Sequence, residues 1–184
     1  MRLFTAFPVS EEVKKHIIKA QDALSSANQD ARIKWVEDCN VHVTSCFLGE
    51  VGDDKVEMVE ILLSGVASQE NKFNFVLENT SCFPSAREPR VLFIELGDSS
   101  GTSSRIRRNI SEALKENGFL IDDKPWRPHL TLGRVKSEGV SLVGLKEIKI
   151  ERLAWPVEYI ELIKSELCSD GPRHTVIKKI YLND

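Results

Sequence analysis

Val41-His42-Val43-Thr44 and Pro128-His129-Leu130-Thr131 share one pattern: histidine, one apolar residue, threonine, with glycine following as Gly49 and Gly133. The two histidines lie 129 − 42 = 87 residues apart in a chain of 184, close to half its length. Such spacing points to a duplicated unit with pseudo-twofold symmetry and both motifs at one central cleft. Each motif sits in a short apolar run that reads as a strand, where successive side chains alternate between faces. His42 and Thr44 then share a face, with Val43 pointing the other way. His129 and Thr131 share a face, with Leu130 and Leu132 turned toward the core. A histidine and a threonine two residues apart stand about 7 Å apart along a strand, so both can reach one phosphate.

Working outward, the chain reads as strands and helices mixed without strict alternation. Leu3–Val9 is a short apolar run, hence a buried strand. Ser10 before Glu11 and Glu12 is an N-cap with an acidic first turn. Val13, Ile17, Ala20 and Leu24 then recur at helical spacing toward Asn28. Ile33–Val36 and Val41–Leu48 read as strands, and Gly52-Asp53-Asp54 opens a second helix running to about Val66. Phe73–Glu78 alternates and reads as a half-buried strand; Val91–Leu96 is another, reached through a loop at Pro84–Pro89. A third helix spans roughly Thr102–Asn117 and stops at Gly118, a glycine C-cap. Strands follow near His129–Val135, Glu147–Trp155, Val157–Glu166 and Thr175–Leu182. The fold class is therefore α+β with largely antiparallel sheets. No linker or low-complexity tract divides the chain, so residues 1–184 are expected to form a single domain of two lobes.

The composition is 41% hydrophobic and 29% charged, enough apolar side chain to build a core without metals or disulfides. The net charge of −3 argues against a protein that coats long nucleic acid, yet leaves room for one that grips a single phosphate in a local pocket. Cys39, Cys46, Cys82 and Cys168 form no C-x-x-C pair and no zinc-ribbon spacing. They read as reduced, mostly buried thiols, and the expected setting is cytoplasmic. The opening MRLFTAFPVSEEV is too short and too early interrupted for a signal peptide, and no segment reads as a membrane span.

Phosphodiester cleavage needs a base for the attacking water, an acid for the leaving alkoxide, and donors for the phosphoryl oxygens. Histidine suits both proton roles, with an ordinary pKa of about 6.5. In-line attack wants acid and base on opposite sides of phosphorus, which two symmetry-related His-x-Thr strands provide. Thr44 and Thr131 would donate to the non-bridging oxygens. Arg134, and less directly Arg127, flank the second motif and could supply local positive charge. Strict alternation puts Arg134 opposite His129, so it contributes only if the strand ends or twists there; otherwise it is a surface arginine. His16 reads as a solvent-facing helix residue. His174, after Gly171-Pro172-Arg173, reads either as a turn residue or as facing the cleft. A metal site would lack its third and fourth ligands at any motif spacing.

Several stretches carry a resemblance. Met1-Arg2-Leu3-Phe4, Trp35-Val36 and His42-Val43-Thr44-Ser45-Cys46-Phe47-Leu48-Gly49 cover the first half. Phe83-Pro84 and Pro89-Arg90-Val91-Leu92-Phe93 lie in the middle. Pro125-Trp126-Arg127-Pro128-His129-Leu130-Thr131-Leu132-Gly133-Arg134 and Lys164-Ser165-Glu166-Leu167, with Gly171-Pro172, close the chain. Together they resemble the two-histidine phosphoesterase superfamily, and within it the RNA 2′,3′-cyclic phosphodiesterases, also called 2′-5′ RNA ligases. That resemblance implies two lobes, each an antiparallel sheet with two outer helices, around an active cleft. It implies His42 as proton donor and His129 as proton acceptor; acid–base chemistry of this kind requires no metal, and no cofactor is expected. The implied substrate is an RNA end carrying a 2′,3′-cyclic phosphate, and the implied product a 2′-phosphomonoester. It also implies a reverse reaction, the nucleotide-independent joining of tRNA halves through a 2′-5′ linkage. A non-catalytic RNA-binding module is the alternative of another class, disfavoured by the acidic charge and the paired histidines. A monomer that binds no membrane is expected. Two departures stand out: the family often carries an aromatic, usually tyrosine, near His174, and bulkier aliphatic residues at Val43 and Ser45.

Overall fold

Nine strands and three α-helices arrange as two antiparallel sheets in the structure, a computed structural model that describes residues 1–137, 142–145, 147–169 and 171–184. In chain order they are β1 (Arg2–Phe7), α1 (Glu11–Ala27), β2 (Ile33–Trp35), β3 (Val43–Glu50), α2 (Val56–Ala67) and β4 (Phe73–Ser85). Then follow β5 (Glu88–Gly97), α3 (Thr102–Glu116), β6 (His129–Val135), β7 (Ala154–Val157), β8 (Tyr159–Leu167) and β9 (Pro172–Tyr181). The first sheet has the order β3-β1-β8-β9 and the second β2-β6-β5-β4-β7. The first joins the two ends of the chain; the second takes its middle, with β2 crossing over to pair with β6.

α1 forms where the apolar spacing predicts, buries Val13, Ile17, Ala20 and Leu24, and starts at Ser10, whose side chain accepts from the Val13 amide. It lies against the second sheet, where Gln21 Nε2 donates to the carbonyls of both Val36 and Leu132. α2 and α3 pack on each other and on the first sheet. The described residues therefore place one α-helix on one lobe and two on the other, where the resemblance implied two on each. Phe7 meets Phe73 and Phe75 edge-on at 5.5 and 5.6 Å, so the two sheets share a continuous aromatic core behind the cleft. Phe4 and Ala6, on the other face of β1, form a small separate cluster with Ile163, and Phe4 lines the cleft.

Three expectations on secondary structure need correction. The Pro84–Pro89 stretch is the tip of a hairpin: β4 continues through Ser85 and Pro84 pairs with Pro89, leaving only Ala86-Arg87 as the turn. Prolines without amide donors are tolerated at a hairpin end, where the ladder stops. The strand expected over Glu147–Trp155 begins only at Ala154; Ile148, Ile150 and Leu153 pack on the core without joining a ladder. The second helix is preceded by a 3-10 turn at Asp53–Lys55 and becomes α-helical only from Val56. Cys46 alone of the four cysteines is fully buried; Cys39 is exposed, and none is in a disulfide. No described helix is long and apolar enough to cross a membrane.

Candidate active site

His42 sits one residue before β3, and Val43 behind it is fully buried in the shared core. β3 pairs with β1, but the register slips by one after Thr44: Ala6 faces Thr44 while Thr5 faces Cys46. Ser45 is the extra residue of a β-bulge, and both Ser45 and Cys46 turn inward. The bulge reverses the alternation. Phe47 returns to the cleft face, opposite Phe4 in the register and 5.9 Å from its ring.

The second motif repeats this device. His129 opens β6, Leu130 and Leu132 are fully buried, and the register against β5 slips between Phe93–Thr131 and Leu92–Gly133. Leu132 is the extra residue, and Arg134 is carried back to the cleft face. A bulge after the threonine thus turns the fifth residue beyond each histidine toward the cleft, Phe47 in one strand and Arg134 in the other. Gly133 is required beside this bulge: a Cβ there would meet Ile33 Cγ2 and Trp35 Cε3 at 2.9 Å.

The strands bring the two motifs to one cavity of about 340 Å³, lined by His42, Thr44, Phe47, His129, Thr131 and Arg134. Its volume lies at the small end of the usual range of about 300–1,000 Å³ for small-molecule pockets. A hydrogen bond ties its two walls together. Trp126, just before β6, donates from Nε1 to the carbonyl of Thr44 at 2.9 Å. The indole thereby connects the backbone of the first motif to the approach of the second.

Each catalytic candidate is held from behind. His129 Nδ1 is 2.8 Å from the Arg127 carbonyl, which requires the hydrogen on Nδ1 and leaves a lone pair on Nε2. For His42 the Asn40 backbone, again two residues upstream, favours the protonated ring. Both rings stand on aromatic ground. His42 packs on Phe4 at 4.9 Å, and His129 meets Phe93 and Phe83 edge-on at 5.2 and 5.6 Å. This apolar footing sets their titration. Burial pushes His42 down to about 4, with repulsion from His174 and His129 in the same direction and the Asn40 backbone opposing. Burial also lowers His129; the Arg127 carbonyl opposes this and the Arg134 guanidinium adds to it.

Of the residues singled out in the sequence, His42, Thr44, His129, Thr131 and Arg134 line the cavity. The Arg127 side chain is exposed and lies outside the lining; its backbone carbonyl is what reaches the site. His174 faces the cavity and stacks edge-on against His42 at 5.1 Å. His16 is remote, paired with Glu151 on the helix surface. Arg2, Phe4 and Phe47 are cavity residues the sequence reading passed over. Among the described residues no three histidine, cysteine or carboxylate side chains gather as metal ligands.

Residues 7–93 match the family model described as LigT like Phosphoesterase, a span that includes the first motif. Among curated relatives, a protein of Archaeoglobus fulgidus is 38% identical over 79% of this chain and 78% of its own length. One of Methanocaldococcus jannaschii is 34% identical over 97% of this chain and 99% of its own. Both bear the name RNA 2′,3′-cyclic phosphodiesterase. A solved structure from Thermus thermophilus superposes with a TM-score of 0.86 at 30% identity, covering 99% of this chain and 98% of that one. E. coli LigT in its apo form shares the fold, with a TM-score of 0.78 at 21% identity and coverage of 100% and 98%.

Proposed function

The chain belongs to the LigT-like phosphoesterase family, and from that premise we propose that its cleft opens the 2′,3′-cyclic phosphate at an RNA end by metal-independent acid–base hydrolysis. The observation that carries the reading is the convergence of two His-x-Thr strands, one from each sheet, on one cavity. The substrate class follows from the curated relatives' name.

The cyclic phosphodiester anion binds between the strands, with the hydroxyls of Thr44 and Thr131 donating to its non-bridging oxygens. Arg134 adds a cationic donor on the His129 side. Water attacks phosphorus in line with the bond to O3′. His129 Nε2 takes a proton from that water, the P–O3′ bond breaks, and His42 gives its proton to O3′. The product is the 2′-phosphomonoester, and the two histidines return to their starting states by exchanging protons with solvent.

His42 must carry a proton at the moment of attack, although burial by itself holds it near 4. A bound phosphate resolves this: an anion within hydrogen-bond reach favours the imidazolium and brings its pKa back toward neutrality. His129 keeps Arg134 beside it, whose charge continues to oppose protonation and suits a base. The two groups share one phosphate, so they titrate as a coupled pair and the rate profile against pH is a bell.

The test is hydrolysis of an RNA oligonucleotide ending in a 2′,3′-cyclic phosphate, with excess chelator present and the product mapped. A 2′-phosphate product formed at an undiminished rate is expected. A 3′-phosphate product would overturn the bond assignment, and activity abolished by chelator and restored by zinc or magnesium would overturn the metal-free mechanism.

A further inference from the structure

The cleft holds three imidazoles, and the chemistry above uses two. His174, on β9, lines the same cavity and packs edge-on against both Phe4 and His42, at 5.0 and 5.1 Å. Its cross-strand partner Ser165 lines the cavity as well. Nδ1 of His174 is cut off from solvent and has no hydrogen-bond partner among the described residues. The ring lines both the cleft and a neighbouring hollow, so Nε2 is the nitrogen left to meet a ligand there.

Resting on the cyclic-phosphate reading, we propose that His174 is a third substrate-binding side chain of this cleft, a neutral imidazole that donates its Nε2 hydrogen to a phosphoryl oxygen. The tautomer follows from burial. An unpaired N–H at the enclosed Nδ1 would cost more than an unpaired lone pair on a weak acceptor, so the single hydrogen of the neutral ring resides on Nε2. A second proton would have to sit at Nδ1 with nothing to receive it, and the surroundings do not invite one. On the cleft side the charged or titratable neighbours are His42, His129, Arg2 and Arg134, all cationic when charged. In the hollow, Glu37 is the one carboxylate, beside Cys39 and Arg173. Burial accordingly lowers the pKa of His174 below its ordinary value. The ring remains a donor across the working pH range, while His42 next to it is the group that gains and loses a proton.

The experiment compares wild type with His174→Phe, which keeps a packing ring and removes the donor, and with His174→Gln, which restores an N–H. KM for a nucleoside 2′,3′-cyclic phosphate and binding of inorganic phosphate by calorimetry are measured at about pH 5.5 and about pH 8. In His174→Phe, KM and the phosphate Kd should both rise about tenfold or more, the worth of one hydrogen bond to a charged acceptor. The rise in KM should far exceed the fall in kcat, His174→Gln should recover much of the loss, and the ratio to wild type should be equal at both pH values. A His174→Phe protein with wild-type KM and phosphate Kd overturns the proposal. So does a loss present at the lower pH and absent at the higher, which would make the ring an imidazolium ligand. A wild type that binds phosphate but leaves the cyclic substrate intact would sink the hydrolase reading and leave the phosphate comparison to decide on His174.

Discussion

His129 gives its Nδ1 hydrogen to the Arg127 carbonyl, and the consequence is a lone pair on Nε2 directed at the cavity. This one bond fixes which nitrogen can act as a base. Arg134 acts on the same ring through space, lowering its pKa. Replacing Arg134 by alanine should therefore do two separate things. It should raise KM for the cyclic substrate about tenfold, the worth of a charge-assisted contact. It should also release His129 to a higher pKa, moving the acidic limb of the kcat profile to higher pH, because the base must be neutral in the substrate complex to act. An unchanged KM with an unmoved limb would return Arg134 to the role of a surface cation.

At the scale of elements the deciding feature is the β-bulge, and it marks where the sequence was legible and where it was not. The alternation of His42, Val43 and Thr44, and of His129, Leu130 and Thr131, correctly separates cleft from core. One residue further the alternation fails in both strands. A bulge inserts a residue that no periodicity announces, so strict alternation puts Arg134 on the face opposite His129, whereas in the fold it lines the cavity. Phe47 was passed over for the same reason. β6 and α1, whose apolar periods are complete, came out nearly residue for residue, whereas the prolines at 84 and 89 concealed a hairpin end. The pairing of β2 with β6, and of both chain ends in one sheet, leaves no local signature at all. Gly133→Ala tests the second bulge: its Cβ would press on Ile33, Trp35 and the Lys34 carbonyl and should destabilise by about 1–3 kcal/mol. Gly65→Ala in α2, where no neighbour lies within 4 Å, should be neutral or slightly stabilising in the same denaturation assay. Trp126→Phe tests the tie between walls. Losing the bond to the Thr44 carbonyl should cost about 0.5–1.5 kcal/mol of stability and lower kcat more than it raises KM, since what is lost is the alignment of one motif with the other. Stability lost with kcat intact would show the tie to be structural only.

The whole molecule is two sheets sharing an aromatic core on one side and enclosing a cavity on the other. Placing histidines in that cavity on apolar ground carries a cost in acid. His42, His129 and His174 all have pKa values below the ordinary one, His42 reaching about 4. The unfolded chain binds protons at these sites more readily than the folded one. Stability from this source is complete above about pH 6.5 and is lost as pH falls toward 4, on the order of 3 kcal/mol for His42. Urea denaturation at several pH values should show this loss in the wild type and a shallower one in His42→Asn; equal slopes would mean that His42 is not desolvated in the fold. The central claim, that two halves of the chain act on one phosphorus atom, is tested most directly by a His42→Ala, His129→Ala and double-variant series on a nucleoside 2′,3′-cyclic phosphate, with folding checked by circular dichroism. Each single variant should lose about a hundredfold or more in kcat. The double should lose far less than the product of the two, because acid and base that serve one transition state are not additive. A folded single variant with near wild-type kcat, or losses that multiply in full, would contradict the account.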